Sequence, residues 1–288
     1  MMKIAFIGIG VMGRSMSINL LKAGYPVSVY SRREESAREA VEQGAVWQNN
    51  IAECVREADM VITMVGYPKD VEEVYFKEGG ILESAPAGAI LADMTTTSPK
   101  LAVRIFEAAG ARGLFALDAP VSGGDIGARN GTLAIMAGGE EDVFRRALPV
   151  FECMGKTIRY QGKAGSGQHT KMANQIAIAG TAAGVAEALS YAKAAGLDTA
   201  ATLDAISGGS AVSWQMLNNG PKMLKRDFAP GFFIKHFIKD MSLAREEAED
   251  RDLSLPVLSQ VLDLYRALAD KGLGDEGTQA IIRAYDKE

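Results

Sequence analysis

With 288 residues and 30.7 kDa, the chain is long enough for one large or two ordinary domains. Its 48% hydrophobic and 23% charged residues have the balance of a folded globular protein, which excludes a disordered chain. Against 36 acidic side chains stand 31 basic ones, a formal charge of −5 and a pI near 5.3, which argue against non-specific nucleic-acid binding.

Met1, Met2 and Lys3 are followed by only seven residues, 4–10, before a glycine-rich turn is complete. That run is too short and too strand-like for the apolar core of a signal peptide. Strand-like runs cover 3–8, 27–31, 60–64, 89–93, 114–118 and 132–137. Helical patterns over 13–23, 35–43, 69–76, 99–109 and 140–153 lie between most of them. Such alternation predicts an α/β domain, a parallel sheet with helices on both faces. Around Tyr160 the pattern changes. The stretch Gln161-Gly162-Lys163-Ala164-Gly165-Ser166-Gly167 is a breaker-rich connector, and no convincing strand follows it.

From 168 to 195 the pattern predicts one long alanine-rich helix, ~40 Å at ~1.5 Å per residue. Apolar on nearly all sides through its middle, it is expected to be buried within the protein. Its uncharged part, 172–186, contains Asn174, Gln175 and Thr181 and falls short of the ~18 apolar residues a membrane span requires. Further helical stretches cover 199–206, 213–224, 234–251, 257–271 and 278–286, punctuated by Pro221, Pro230 and Pro256. Two domains are therefore expected, an α/β domain over 1–163 and an all-α domain over 164–288 that begins with the long interdomain helix. Cys54 and Cys153 lie far apart with no CxxC, so reduced thiols in a cytoplasm are the default. With His169 and His236 as the histidines, no metal-ligand cluster has zinc spacing.

Gly8-Ile9-Gly10-Val11-Met12-Gly13 is a GxGxxG that follows the apolar run Ile4-Ala5-Phe6-Ile7 and opens a helical pattern. In that context each glycine has a physical task. Gly8 makes the tight turn, Gly10 lets a pyrophosphate approach the backbone, and Gly13 lets helix pack on strand. The free N–H groups of Val11 and Met12 and the positive end of the helix face the phosphates. The expected architecture is therefore a Rossmann-type N-terminal domain.

The second strand bears on the choice of dinucleotide. It ends at Ser31-Arg32-Arg33, and Arg32 lies 32 − 13 = 19 residues past the last glycine, where a ribose-reading acid usually sits. No carboxylate occupies 30–33, so nothing there repels a 2′-phosphate. Ser31 and Arg32 thus favour NADP over NAD. The two arginines also suit a solvated pair after a strand, or a stack on the adenine of NAD.

Three segments carry chemistry: Gly8–Gly13, Asp118-Ala119-Pro120-Val121-Ser122-Gly123-Gly124, and Gly165-Ser166-Gly167-Gln168-His169-Thr170-Lys171-Met172-Ala173-Asn174. In this order, with Lys239-Asp240 downstream, the sequence resembles the β-hydroxyacid dehydrogenases, the 3-hydroxyisobutyrate dehydrogenase-like enzymes, over essentially its whole length. The resemblance implies a two-domain oxidoreductase transferring a hydride between NADP(H) and a small β-hydroxy acid or acid-bearing semialdehyde. It also implies that the active site lies in the cleft between the domains and that the protein is a homodimer or homotetramer.

Lys171 is expected in the first turn of the long helix, with Asn174 three residues on along the same face. In reduction a nearby ammonium protonates the carbonyl oxygen; in oxidation a neutral lysine takes that proton back, and burial is how such a base is tuned. By spacing alone Lys171 also reads as a surface lysine at a helix start. Ser122, Gly123 and Gly124 read as a carboxylate anchor, a backbone concavity whose N–H groups face an anion, or as a turn closing a strand. The resemblance implies that these three hold the substrate acid, that Asn174 orients it, and that Thr96 and Lys239 contact the cofactor. Val65 is placed on the nicotinamide side, where many members carry Leu-Pro and this chain departs from them. Trp214 and Phe232 suit a pocket lining or core packing. His169 lies about 200° round a helix from Lys171 and is read, like His236, as structural or solvated.

Two other functions compete. Imine reduction is hosted by the same architecture, but the lysine is typically replaced there. A non-catalytic nicotinamide-binding module would have no use for the Lys171–Asn174 pair.

Overall fold

The computed structural model describes residues 1–286, which form two compact units that part between Lys171 and Met172. In the first unit nine strands make one sheet: β1 (Ile4–Ile7), β2 (Val27–Tyr30), β3 (Val46–Trp47), β4 (Met60–Thr63), β5 (Ile90–Asp93), β6 (Phe115–Asp118), β7 (Val121–Ser122), β8 (Leu133–Gly139) and β9 (Gly155–Gly162). The order β3-β2-β1-β4-β5-β6 is parallel throughout; β8 pairs antiparallel with β6 and β7 and parallel with β9. Helices α1 (Val11–Lys22), α2 (Arg38–Glu42), α3 (Ile51–Val55), α4 (Pro68–Phe76), α5 (Ile81–Ser84), α6 (Pro99–Gly110), α7 (Gly124–Asn130) and α8 (Glu141–Phe151) intervene.

The central strands are buried along their whole length, with helices on both faces, and are apolar up to Thr63 and Asp93 at the ends of β4 and β5. Successive side chains alternate faces, so β1 sends Ile4 and Phe6 into a core with Met16, Leu20 and Phe151, and Ala5 and Ile7 into a second core with Val55, Val71 and Ile105. Strand order reverses beside β1, which places its carboxyl end and Gly8 at the topological switch point of the sheet. This is the expected Rossmann-type domain.

Three strands and three helices escape the sequence pattern. β3 and β7 are two residues each, and α3 and α5 are five and four residues long. β9 is a polar edge strand in which only Ile158 and Tyr160 pack against the core. α7 arises from the glycine-rich segment that reads as a turn.

The second unit is helical. The long helix α9 (Ser166–Ala194) leads into α10 (Thr199–Ser207), α11 (Gly220–Lys225), α12 (Ile234–Glu249) and α13 (Pro256–Leu268). Its core gathers Phe237, Met241, Leu262, Tyr265 and Ile281. Tyr265 donates its hydroxyl to the Thr278 carbonyl at 2.7 Å, locking the final 3₁₀ segment Thr278–Tyr285 onto α13.

One expectation fails in α9. The helix is not buried all round: Ala173, Ala177, Thr181, Gly184, Glu187 and Tyr191 form an exposed stripe at spacings of three and four. Alanine and glycine bury little area, so their presence does not report which face is covered. No helix among the described residues is long and apolar enough to cross a membrane.

Candidate active site

The glycine turn after β1 is built as a cradle. Gly8 has φ of +99°, and a Cβ there would lie 2.3 Å from the Met64 carbonyl oxygen. A Cβ on Gly13 would lie 2.0 Å from the Gly8 oxygen, so the helix can seat on the strand only with a bare backbone there. Gly10 faces open space. It precedes α1 without giving it a side-chain cap, and the first turn holds no acid. The N–H groups of Val11, Met12 and Gly13 and an uncompensated positive helix end are left for an anion. These residues fit a dinucleotide pyrophosphate.

At the end of β2, Ser31 is half-buried and Arg32 exposed. The Arg32 guanidinium is tethered: its Nη1 lies 3.2 Å from Asp70 Oδ1. Asp70 is buried, and its other oxygen accepts the Tyr67 N–H at 3.0 Å.

The loops after β4 and β5 are tied to each other. Asp93 accepts the Thr63 hydroxyl at 2.7 Å and the Thr95 N–H at 3.1 Å, while Thr95 Oγ1 accepts the Val65 N–H at 3.0 Å. Thr95 and Thr97 are buried and Thr96 between them is half-buried. Gln168 reaches this loop from α9. Its amide donates to the Thr95 carbonyl at 2.8 Å and accepts the Thr97 N–H at 3.0 Å.

Ser122 closes β7, and Gly123 and Gly124 follow with φ of +135° and +62°, the left-handed region that permits a sharp concavity. Gly123 precedes α7 without capping it. The segment turns from β7 into α7, with Ser122 still paired with Ala134 of β8. Lys171 is 5% exposed. It sits in the second turn of α9 rather than the first, because the helix begins at Ser166, two residues earlier than the pattern indicates.

In the second unit Asn174 donates to Gln175 Oε1 at 2.7 Å, and Gln175 donates to Asp240 Oδ2 at 2.6 Å. The other Asp240 oxygen pairs with Lys239 Nζ at 2.8 Å. A four-residue chain thus joins Asn174 to Lys239, and sequence reasoning missed its two middle members. His169 is exposed; His236 is half-buried, edge-on to Phe233 at 5.7 Å. Its pKa is lowered by burial first, then by Lys239 and Lys235. Trp214 is exposed and Phe232 packs on Phe237 at 5.6 Å. Among the described residues no three His, Cys, Asp or Glu side chains gather as for a metal ion.

Buried Asp118, Gln168, Asp70, Gln175 and Asp240 join Asp93 and Thr95 in holding these parts in place. The Asp118 carboxyl, at the end of β6, is pushed up to about 6, chiefly by burial, against hydrogen bonds from the N–H groups of Gly165 and Gln168.

Similarity to known proteins extends over the whole chain. Residues 3–162 match the family described as the NAD binding domain of 6-phosphogluconate dehydrogenase. Residues 165–285 match that described as NAD-binding of NADP-dependent 3-hydroxyisobutyrate dehydrogenase. The chain is 54% identical over 284 residues to an uncharacterized oxidoreductase of Bacillus subtilis, covering 99% of both. It is 39% identical to the 2-hydroxy-3-oxopropionate reductase of Escherichia coli, over 99% of this chain and 97% of that one. The structure of 3-hydroxyisobutyrate dehydrogenase from Mycobacterium tuberculosis with L-serine superposes with a TM-score of 0.91 at 34% identity, covering 100% of each chain.

Proposed function

The chain belongs to the β-hydroxyacid dehydrogenase family, of the 3-hydroxyisobutyrate dehydrogenase type, and from that premise we propose how its own residues carry out the reaction. It is an NAD(P)-dependent oxidoreductase acting on small hydroxy acids or acid-bearing semialdehydes, with NADP the favoured coenzyme. The nicotinamide, when bound, supplies or accepts the hydride.

Gly8, Gly10, Val11, Met12 and Gly13 hold the pyrophosphate, and Ser31 and Arg32 read the adenosine ribose. Val65, Thr96 and Lys239 complete the cofactor contacts. The N–H groups and hydroxyl of Ser122, Gly123 and Gly124 hold the substrate acid, and Asn174 orients it. Lys171 gives a proton to the carbonyl oxygen in reduction and takes it back in oxidation. Residues 1–163 form the dinucleotide domain, which also carries the acid anchor, and 164–288 form the helical domain, which carries Lys171, Asn174, Lys239 and the subunit contacts. We place the protein in the cytoplasm as a homodimer or homotetramer, which its unpaired cysteines and the small-residue stripe of α9 suit.

The observation that carries this reading is Lys171, an amine buried in the turn after the one that Gln168 fastens to the threonine loop. The test is NADPH oxidation with a panel of short acid-bearing semialdehydes and, beside them, cyclic imines. Turnover of the semialdehydes supports the proposal; turnover confined to imines, or none with either class, overturns it.

A further inference from the structure

We propose that Asp118 is a positioning residue for Lys171: from the end of β6 it supplies the N-terminal cap that α9 lacks, and so fixes the turn carrying the proton donor. The inference rests on Lys171 acting as that donor.

A helix start leaves its first N–H groups without partners, and a side chain at the capping position usually accepts one of them. At α9 the capping residue is Gly165, whose carbonyl accepts the His169 N–H at 3.0 Å and which has no side chain to offer. Asp118, 47 residues earlier, takes the place of that side chain. One carboxylate oxygen accepts the Gly165 N–H at 2.8 Å and the other the Gln168 N–H, also at 2.8 Å. A negative group at this position also meets the positive end of a 29-residue helix. Gly167 lets the turn settle onto it, since a Cβ there would lie 2.5 Å from the Asp118 carbonyl oxygen and 2.9 Å from Oδ2.

The same turn is held from a second direction. Gln168 bridges Thr95 and Thr97, which flank Thr96. Main chain held by Asp118 and side chain held by the threonine loop leave the first turn no rotation about the helix axis. Lys171 follows Gln168 by three residues, on the same face of the next turn. A displacement of ~1 Å of a catalytic group costs up to ~10²-fold in rate, so a loosened cap should show in turnover before it shows in cofactor affinity.

Asp118→Asn keeps the shape but turns an amide NH₂ toward an N–H group that the carboxylate satisfied. The test is a cycle of wild type, Asp118→Asn, Lys171→Ala and the double variant, assayed with NADPH and the best semialdehyde of the panel. We expect Asp118→Asn to lower kcat by ~10- to 100-fold, with KM and NADPH Kd changed less than about threefold. In the Lys171→Ala background the same substitution should cost less than about twofold, because the group it positions is gone. An equal loss in both backgrounds, or unchanged kcat in Asp118→Asn beside an impaired Lys171→Ala, overturns this inference and leaves the proton donor standing. Unchanged turnover in Lys171→Ala brings down both. If Asp118→Asn does not fold, Gln168→Met enters the same cycle, since it removes both threonine-loop bonds and keeps the aliphatic stem; it should show the same non-additivity.

Discussion

Arg32 and Asp70 form an ion pair across the rim of the dinucleotide domain, 3.2 Å apart, in which the arginine side chain is 75% exposed and the aspartate 8%. The acid is the fixed member, anchored also by the Tyr67 N–H at the start of α4. It engages one nitrogen of the guanidinium, which keeps further N–H groups for a 2′-phosphate. The pair orients Arg32, and Asp70 also sets a negative charge close to where that phosphate would bind.

Coenzyme choice follows. A charge-assisted contact between Arg32 and a 2′-phosphate contributes ~1.5–3 kcal/mol, roughly 10- to 150-fold in affinity. NADPH should exceed NADH by at least ~10-fold in kcat/KM, and Arg32→Ala should abolish most of the difference. Asp70→Asn, which removes the neighbouring negative charge, should tighten NADPH by ~2- to 5-fold and leave NADH nearly unchanged. Paired titrations of both coenzymes against the three proteins decide it; a wild type that favours NADH assigns Arg32 to adenine stacking or to solvent.

The cradle was legible in the sequence because its requirements are local. Gly8 and Gly13 are demanded by contacts within one turn and with the adjoining strand, and their spacing repeats that geometry. The supports of the site were not legible, because their partners are distant in the chain: Asp70 meets Arg32 across 38 positions, Asp118 meets Gln168 across 50, and Gln175 meets Asp240 across 65. Asp118 stands in a motif that already has a reading, so nothing marks its carboxylate as a cap. The one hint is negative, a glycine where α9 needs a capping side chain. β9 escaped for another reason. Its alternation of Ile158 and Tyr160 with Lys156, Thr157, Arg159 and Gln161 is an edge-strand pattern, obscured by the breaker-rich connector it runs into.

Lys171→Ala should lower turnover by ~10²- to 10⁴-fold while NADPH binding survives. Single-turnover kinetics with bound NADPH check this directly, because the loss belongs to the chemical step. Turnover within a few-fold of wild type would remove Lys171 from proton transfer and direct attention to His169.

The substrate's acid should matter as much as its carbonyl. If Ser122, Gly123 and Gly124 hold an anion, binding energy from that remote group fixes the carbonyl for hydride transfer. Acid-bearing semialdehydes should therefore exceed the corresponding neutral aldehydes in kcat/KM by at least ~10-fold, equivalent to ~1.4 kcal/mol. Equal efficiency with both would exclude an acid anchor at this turn.

The buried cap should leave a signature in stability as well. Asp118 is raised from 3.8 to about 6, mainly by burial, with the Asp93 charge adding to it and the N–H groups of Gly165 and Gln168 opposing it. The folded protein then holds this proton more tightly than the unfolded chain. Between about pH 4 and 6 the native state binds more protons at this site, so its contribution to stability falls as pH rises through that window and is level above it. The full change is on the order of 3 kcal/mol. Asp118→Asn has no proton to lose there, so the stability of wild type minus that of the variant should fall from pH 4 to 6 and then stay constant. Urea unfolding of both proteins from pH 4 to 7.5 measures the difference, with the other titrating groups common to the pair. Parallel curves would mean that Asp118 titrates at its ordinary value. The predicted slope would show that the fold tolerates a costly ionised carboxylate at neutral pH, where the start of α9 needs an acceptor for two N–H groups at once.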